Sequence, residues 1–340
     1  MSSLVIELTD RCNLRCTHCP TGRHGGRGEL DLALLDRVLR QAHTHGIDHL
    51  SFTGGEPTLH SRFPDIVQHT YTAGYRFGLV SNGWVMAQRL ESLLPYRDRL
   101  RVITFSLDGA REATHDAQRG TGSFRRVMQA ASACMWQAIP FTFHMALTRR
   151  NWQEAGELVT LAARLGSRGV RFGHWLHTPL AAAADLLLSP AECQTIDCQL
   201  RKLQAAHDFP VACAPGGHTP ELFPCAPLLH SDSFNLDWQG NLGLCCHLSG
   251  LGESGSAAEV AGNLWTLSLG EALERLQLIR QRLRAHKRRR QAEGRWRDSD
   301  YFPCWYCLNY FHKVDWLRHY PDDPWYTALH AEENHDVDPG

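Results

Sequence analysis

The 340-residue sequence contains no run of about 18 apolar residues, so no transmembrane helix is expected. Its longest soft stretch, Pro179 to Leu188, is short and interrupted by Asp185. The start, Met1 to Thr9, lacks a basic n-region and a cleavage site, which excludes a secretory signal peptide. Net charge is almost absent: 35 Lys plus Arg against 36 Asp plus Glu leave −1. Global charge therefore offers no case for a nucleic acid or membrane partner. Long low-complexity tracts and internal repeats, beyond the strand–helix rhythm below, are missing too. What is plentiful is cysteine and histidine, 12 and 20 residues. Without a secretory signal, clustered cysteines point to metal or redox chemistry rather than a disulfide framework, and to a cytoplasmic location. A hydrophobic fraction of 43% is enough for a sizeable core in one large domain or two.

Apolar runs at Leu4–Leu8, Leu50–Phe52, Phe77–Val80, Val102–Ser106, Phe141–Leu147 and Val170–Phe172 read as strands. Helical patterns separate them at Leu32–Ala42, Pro64–Thr72, Val85–Leu94, Phe124–Gln137 and Glu154–Leu165. Such alternation predicts an α/β fold, a partial (β/α)6 TIM-like barrel with its site at the carboxyl ends of the strands. After Trp175 the rhythm breaks. A linking helix is expected over Pro190–Ala206 with Ser189 as N-cap, and 210–224 reads as loop. Ser233–Leu236 and Asn241–Cys245 flank a hairpin turn at 237–240. Ser268 to Gln291 reads as a helix, Phe302–Cys307 as a turn, and the segment after Tyr320 as a loosely ordered acidic tail. The expected division is 1–178 barrel, 179–209 linker, 210–320 small hairpin-plus-helix domain and 321–340 tail.

Cys12, Cys16 and Cys19 follow directly on the first strand. Steps of four and three residues let one loop offer three thiolates to a cubane cluster, leaving one iron open. A zinc loop is the alternative on spacing alone, and His18 either ligates or packs. This Cys-x3-Cys-x2-Cys loop resembles the defining motif of the radical S-adenosylmethionine (SAM) enzymes. Further features over residues 4–175 agree. Thr53-Gly54-Gly55-Glu56-Pro57 resembles the family's Gly-Gly-Glu-Pro motif, which contacts the amino group of SAM. Ser81-Asn82-Gly83 and Ser106-Leu107-Asp108-Gly109 stand where the family binds the cofactor's ribose or carboxylate. Arg119 resembles an arginine that meets the methionine carboxylate. The resemblance implies a 4Fe–4S cluster whose open iron chelates SAM, a 5′-deoxyadenosyl radical formed by one-electron reduction, and hydrogen abstraction from an unreactive C–H bond. It also implies an external one-electron reductant of the flavodoxin or ferredoxin type.

Cys225, Cys245, Cys304 and Cys307 form a second set, spread over the predicted hairpin and a later Cys-x2-Cys pair. Four thiolates with no open position suit a cluster or a structural zinc. Over 210–320 the pattern resembles the SPASM/twitch extension, which implies auxiliary 4Fe–4S ligation. Where the full pattern has a further cysteine, Lys313 stands, so one auxiliary cluster is expected. Cys246 is expected to face away from Cys245, toward the barrel, as neighbours on a strand do. There it is either a hydrogen-atom donor, as in related epimerases, or a small buried hydrophobe. Cys134 is expected in the core, Cys193 and Cys198 on divergent faces of one helix, and Cys213 has no assigned role.

His144, His174 and His177 are placed near the barrel mouth, lining the substrate pocket or packing. Trp152, Trp175, Trp305 and Trp316 are packing residues. The basic stretch 280–297 is either a solvated helix end or a site for an acidic leader peptide or nucleic acid. Two substrate classes follow from the resemblance. One is a ribosomally made peptide that is epimerised or crosslinked; the other is an aminoglycoside-type sugar that is oxidised, dehydrated or epimerised. No peptide-recognition domain precedes Leu4, so a leader would need a separate binding protein or the basic helix. A non-enzymatic cluster scaffold has no use for the Gly-Gly-Glu-Pro motif.

Overall fold

The computed structural model describes residues 2–19, 26–176, 184–229, 233–249 and 257–330. Its first part runs β1 (Ser2–Thr9), α1 (Leu32–Ala42), β2 (Ile47–Gly54), α2 (Phe63–Thr72), β3 (Arg76–Ser81), α3 (Met86–Arg89) and β4 (Leu100–Ser106). It continues through α4 (Glu112–Arg119), α5 (Ser123–Trp136), β5 (Phe141–Leu147), α6 (Ala155–Arg164) and β6 (Val170–His174). The second part holds α7 (Pro190–Ala206), β7 (Val211–Cys213), α8 (Ala226–Leu229), β8 (Ser233–Leu236), β9 (Asn241–Gly243) and β10 (Val260–Asn263). Three helices close the described chain: α9 (Leu269–Ala292), α10 (Pro303–Tyr310) and α11 (Pro324–His330).

All ten strands join one sheet in the order β10-β9-β8-β1-β2-β3-β4-β5-β6-β7. From β8 to β7 every neighbouring pair is parallel; β9 and β10 add antiparallel at the edge beyond β8. The six predicted parallel strands are thus extended on both sides. β7 pairs with β6, and β8 pairs with β1, with Leu4 opposite Phe234 and Ile6 opposite Leu236. The hairpin region therefore grows out of the barrel sheet instead of standing apart from it.

Residue alternation sorts the two faces. Phe105, Phe141 and Phe143 are buried beneath the helices, with ring centroids 5.6–6.3 Å apart. Thr104 and Thr142 meet on the opposite, concave face, where their hydroxyls are 3.1 Å apart, and Ser106 lies beside His144 in register. Helix α1 starts where Asp31 accepts the Ala33 N–H at 2.7 Å and buries Leu34, Leu35, Val38 and Leu39 on one stripe. Helix α7 begins with a capping box between Ser189 and Glu192, at the position the N-cap pattern predicts.

Three local expectations are corrected. The segment read as a turn at 302–307 is the start of α10, which Pro303 opens at a first helical position that needs no N–H donor. The tail is helical through α11, because Trp325 stacks on Trp305 at 4.1 Å and donates Nε1–H to the Leu188 carbonyl at 2.9 Å. The predicted helix 85–94 is α3 followed by 3-10 turns at Leu90–Ser92 and Leu94–Tyr96. His177 and the first half of the Pro179–Leu188 stretch, 179–183, lie outside the described residues.

Candidate active site at the strand carboxyl ends

The loop that carries Cys12, Cys16 and Cys19 leaves β1 and returns to it. Its neck is closed by Leu30 N–H to the Leu8 carbonyl at 2.8 Å and by Gly28 N–H to Asp10 Oδ1 at 2.7 Å. Trp238, from the β8–β9 turn, presses on this neck: a Cβ on Gly28 would lie 2.2 Å from its ring. The Gly54-Gly55 backbone pins the near limb. Gly55 N–H donates to the Thr9 carbonyl and Glu56 N–H to the Arg11 carbonyl, both at 2.7 Å. A Cβ on Gly55 would sit 2.2 Å from the Arg11 carbonyl oxygen, so only glycine permits this approach. Thr17 N–H donates to the Gln118 carbonyl at 2.9 Å and ties the far limb to α4. Burial is the main cause that raises the pKa of Cys12 and of Cys16, the latter to about 11, and the neighbouring thiols add to both.

Glu56 is buried. It accepts hydrogen bonds from Ser81 Oγ at 2.9 Å, Asn82 N–H at 2.7 Å and Thr58 Oγ1 at 2.5 Å. Burial raises its pKa against these bonds. Its carboxylate thus holds the β3 loop, and buried Pro57 begins the short 3-10 turn that follows. Asn82 reaches the cysteine loop, donating to Asn13 Oδ1 at 2.9 Å and lying 3.8 Å from Cys12 Sγ.

Asp108 is the hub on the other side and is fully buried. Its Oδ1 accepts the Ala146 N–H at 2.9 Å; its Oδ2 meets His18 Nε2 at 3.1 Å and the Arg119 guanidinium. Burial alone would raise its pKa, but Arg119 and His18 outweigh it and hold the carboxyl well below the usual range. Burial also opposes the Arg119 charge, which Asp108 and Cys16 more than offset. Ser106 ends β4 on the concave face, half-buried.

Cys225, Cys245, Cys304 and Cys307 converge although they come from three places: ahead of α8, after β9, and twice on α10. Cys304 and Cys307 share one helix face by their three-residue spacing. Burial raises the pKa of Cys225 to about 11 and lifts those of Cys304 and Cys307 further, and mutual charge repulsion adds to each. Such a set needs a cationic core to carry charge, which fits thiolate ligation. Among the described residues no three His, Cys, Asp or Glu side chains close around a single ion. Lys313, in the position of the missing cysteine, is buried and pairs with Glu259 at 2.6 Å.

A cavity of about 240 Å³ is lined by His18, Arg119, His144, Trp175, Cys246 and His247 among others, so sequence neighbours of both cysteine sets border it. Burial pushes His144 down to about 4, so it is neutral near pH 7. Cys246 is exposed to this cavity. The expectation that it turns away from Cys245 is corrected: β9 ends at Gly243, strand alternation stops there, and the two thiols stay near enough for each to shift the other's pKa, Cys245 up and Cys246 down. His247 was not singled out from the sequence. Its Nδ1 is 3.5 Å from Cys304 Sγ, and its only sequence signal is adjacency to the Cys245-Cys246 pair. His174 borders the cavity but is bonded to Asp197 of α7 at 2.7 Å. Cys134 and Cys193 are buried, Cys198 and Cys213 exposed. A larger recess of about 540 Å³ between α1 and α2 contains no thiol.

Much of the basic stretch packs inward: buried Arg280 donates to the Pro227 carbonyl at 2.7 Å, Arg284 and Arg288 lie over the Phe223 ring, and Arg290 pairs with Asp300 at 3.0 Å. No helix of the described residues is long and apolar enough to cross a membrane.

Residues 6–162 match the family model of the radical SAM superfamily. The chain is similar to a PqqA peptide cyclase of Methylocella silvestris, 28% identical over 209 residues that cover 60% of this chain and 55% of that protein. It is also similar to the mycofactocin maturase MftC of Mycobacterium tuberculosis, 32% identical over 171 residues that cover 48% and 42%. The chain thus aligns with about half the length of these curated relatives. Among solved structures, Streptococcus suis SuiB, bound to S-adenosylmethionine or to its precursor peptide SuiA, shares the fold at a TM-score of 0.63 and 14% identity. The match covers 80% of this chain and 64% and 63% of those chains.

Proposed function

We propose that this chain, whose residues 6–162 match the family model of the radical SAM superfamily, is a radical SAM enzyme that matures a ribosomally synthesised peptide by epimerisation or crosslinking. The observation that carries this reading is a cavity bordered by His18 and Arg119 from beside the first cysteine set and by Cys246 and His247 from beside the second. One curated relative is a peptide cyclase by name, another is a mycofactocin maturase, and SuiB is described with a precursor peptide; the first and the last favour a peptide over a sugar.

Cys12, Cys16 and Cys19 would hold a 4Fe–4S cluster with one open iron; Cys225, Cys245, Cys304 and Cys307 would hold one auxiliary cluster. With SAM bound, the first cluster supplies a 5′-deoxyadenosyl radical able to take hydrogen from an unactivated C–H bond. The protein does the rest. Gly54, Gly55 and Gln118 fix both limbs of the cysteine loop, so the open corner has a set direction. Glu56 orients Ser81 and Asn82, and Asp108 orients Arg119 so that a guanidinium edge is free for a carboxylate. Neutral His144 and the Trp175 ring shape the wall where a side chain of the substrate sits.

In the epimerase form of the reaction, Cys246 donates a hydrogen atom: its S–H bond breaks, a C–H bond forms on the opposite face of the substrate carbon, and a thiyl remains. One electron from an external flavodoxin- or ferredoxin-type reductant and one proton from solvent restore the thiol.

The test is anaerobic turnover in D2O with a peptide encoded beside the gene. Wild type is expected to form 5′-deoxyadenosine and product carrying one solvent-derived deuterium. Cys246→Ala should still cleave SAM but form no deuterated product. Normal deuterium incorporation by that variant would remove the epimerase reading. Turnover of an aminoglycoside-type sugar with no peptide product would replace the substrate class.

A further inference from the structure

Helix α9 buries a stripe formed by Leu276, Arg280, Leu283 and Lys287. The last position is a core slot, and its lysine is only 1% exposed. Lysine is rarely buried this far without a partner. Its Nζ lies 4.5 Å from the Tyr306 ring centroid and 5.5 Å from that of Trp296, and these two rings stack at 5.7 Å. Tyr306 is itself fixed by a 2.7 Å hydrogen bond to His286. Among the described residues, no carboxylate forms an ion pair with Lys287. Two π faces attract a cation but do not neutralise it. The negative charges that act on it are those of the auxiliary thiols and of Asp300. Burial depresses its pKa, and Cys307, Cys225, Asp300 and Cys304 oppose that effect.

A cubane held by four thiolates is a net anion, and its potential depends on the charge around it. We propose that Lys287 is the built-in counter-charge of the auxiliary centre, held there by Trp296 and Tyr306 to raise its reduction potential. This rests on the reading that Cys225, Cys245, Cys304 and Cys307 hold a cluster. Lys287 is then a positioning and tuning residue that never meets the substrate.

The experiment uses the full chain with Cys12, Cys16 and Cys19 changed to Ala, so that only the auxiliary centre is loaded. Its midpoint potential is read by a redox titration followed by electron paramagnetic resonance. Lys287→Met and Lys287→Gln are expected to lower the reduced-to-oxidised ratio at fixed potential about tenfold, a shift of about 59 mV to more negative values for one electron. Lys287→Arg keeps the charge and should stay near the parent. If Met and Gln lose iron while Arg keeps it, the counter-charge role is supported, because the charge then holds the anion in place. Three outcomes overturn the inference. Met and Gln variants with full iron and the parent potential deny the tuning. Loss of iron from all three variants assigns Lys287 to packing. A parent that binds no iron removes the auxiliary-cluster reading itself, and the inference with it.

Discussion

Replacing Asp108 by Asn tests the electrostatic frame of the site. The change keeps shape and removes one buried charge. In the wild type both carboxylate oxygens are committed, Oδ1 to Ala146 N–H and Oδ2 to Arg119 and His18. An asparagine keeps one acceptor oxygen and turns an NH2 group toward donors on the other side. The Arg119 side chain is 11% exposed and would be left without its counter-charge. Breaking such a pair from one side costs about 3–5 kcal/mol. Urea unfolding of the cluster-free protein reads this directly. The double variant Asp108→Leu/Arg119→Met removes both charges and should recover all but about 1–3 kcal/mol, the cost of the orphaned Ala146 N–H. The pH dependence has a defined sign. The folded-state pKa of Asp108 lies below its unfolded value, so the stabilisation is complete above about pH 4 and is lost as pH falls through the depressed value. Wild-type and Asp108→Asn stabilities should therefore converge in acid. A loss below about 1 kcal/mol at pH 7, or curves that stay parallel into acid, would refute the reasoning.

Gly55→Ala drives a methyl group into the Arg11 carbonyl; reconstituted iron should fall from about eight toward about four per chain, and unchanged iron would show that the loop gives way. Trp325→Ala opens the stack on Trp305 and should cost about 3–5 kcal/mol in urea unfolding, against almost nothing if the C-terminal segment is loosely attached. Glu192 is pulled down to about 2, first by Arg149, so this pair stabilises above about pH 4.5 and loses its effect as pH falls toward 2. Both side chains are more than 40% exposed, so screening limits the pair to under about 1 kcal/mol; Glu192→Gln should flatten the acid limb of the stability curve only slightly. Ser189→Ala, by contrast, removes the hydroxyl of the α7 capping box and should cost about 1 kcal/mol at any pH, measured by the same unfolding.

Features with local signatures were legible in the sequence. Ser189 followed by Pro190 and Glu192 announces α7, and the apolar runs locate the six strands from β1 to β6. Features that depend on distant partners were not. Strand β7 is three residues long, too short for a periodic signal; β8 was legible as a hairpin strand at Ser233–Leu236, but its parallel pairing with β1, more than 200 residues away, was not. Helix α11 exists because Trp325 finds Trp305 and Leu188. The Gly-Gly-Glu-Pro motif was visible, but the direction of Glu56, inward to Ser81 and Asn82, was not. The orientation of Cys246 was misjudged because strand alternation was carried two residues past the end of β9. The basic run of α9 looked like a surface feature by composition; burial of Arg280 and Lys287 is a tertiary outcome that composition does not encode.

The most direct measurement is iron and acid-labile sulfide per chain after anaerobic reconstitution, in wild type and in the Cys12→Ala/Cys16→Ala/Cys19→Ala variant. Two cubane sites require about eight irons falling to about four. About four irons falling to none would contradict the two-centre account, and Cys225, Cys245, Cys304 and Cys307 would then have no cluster to hold.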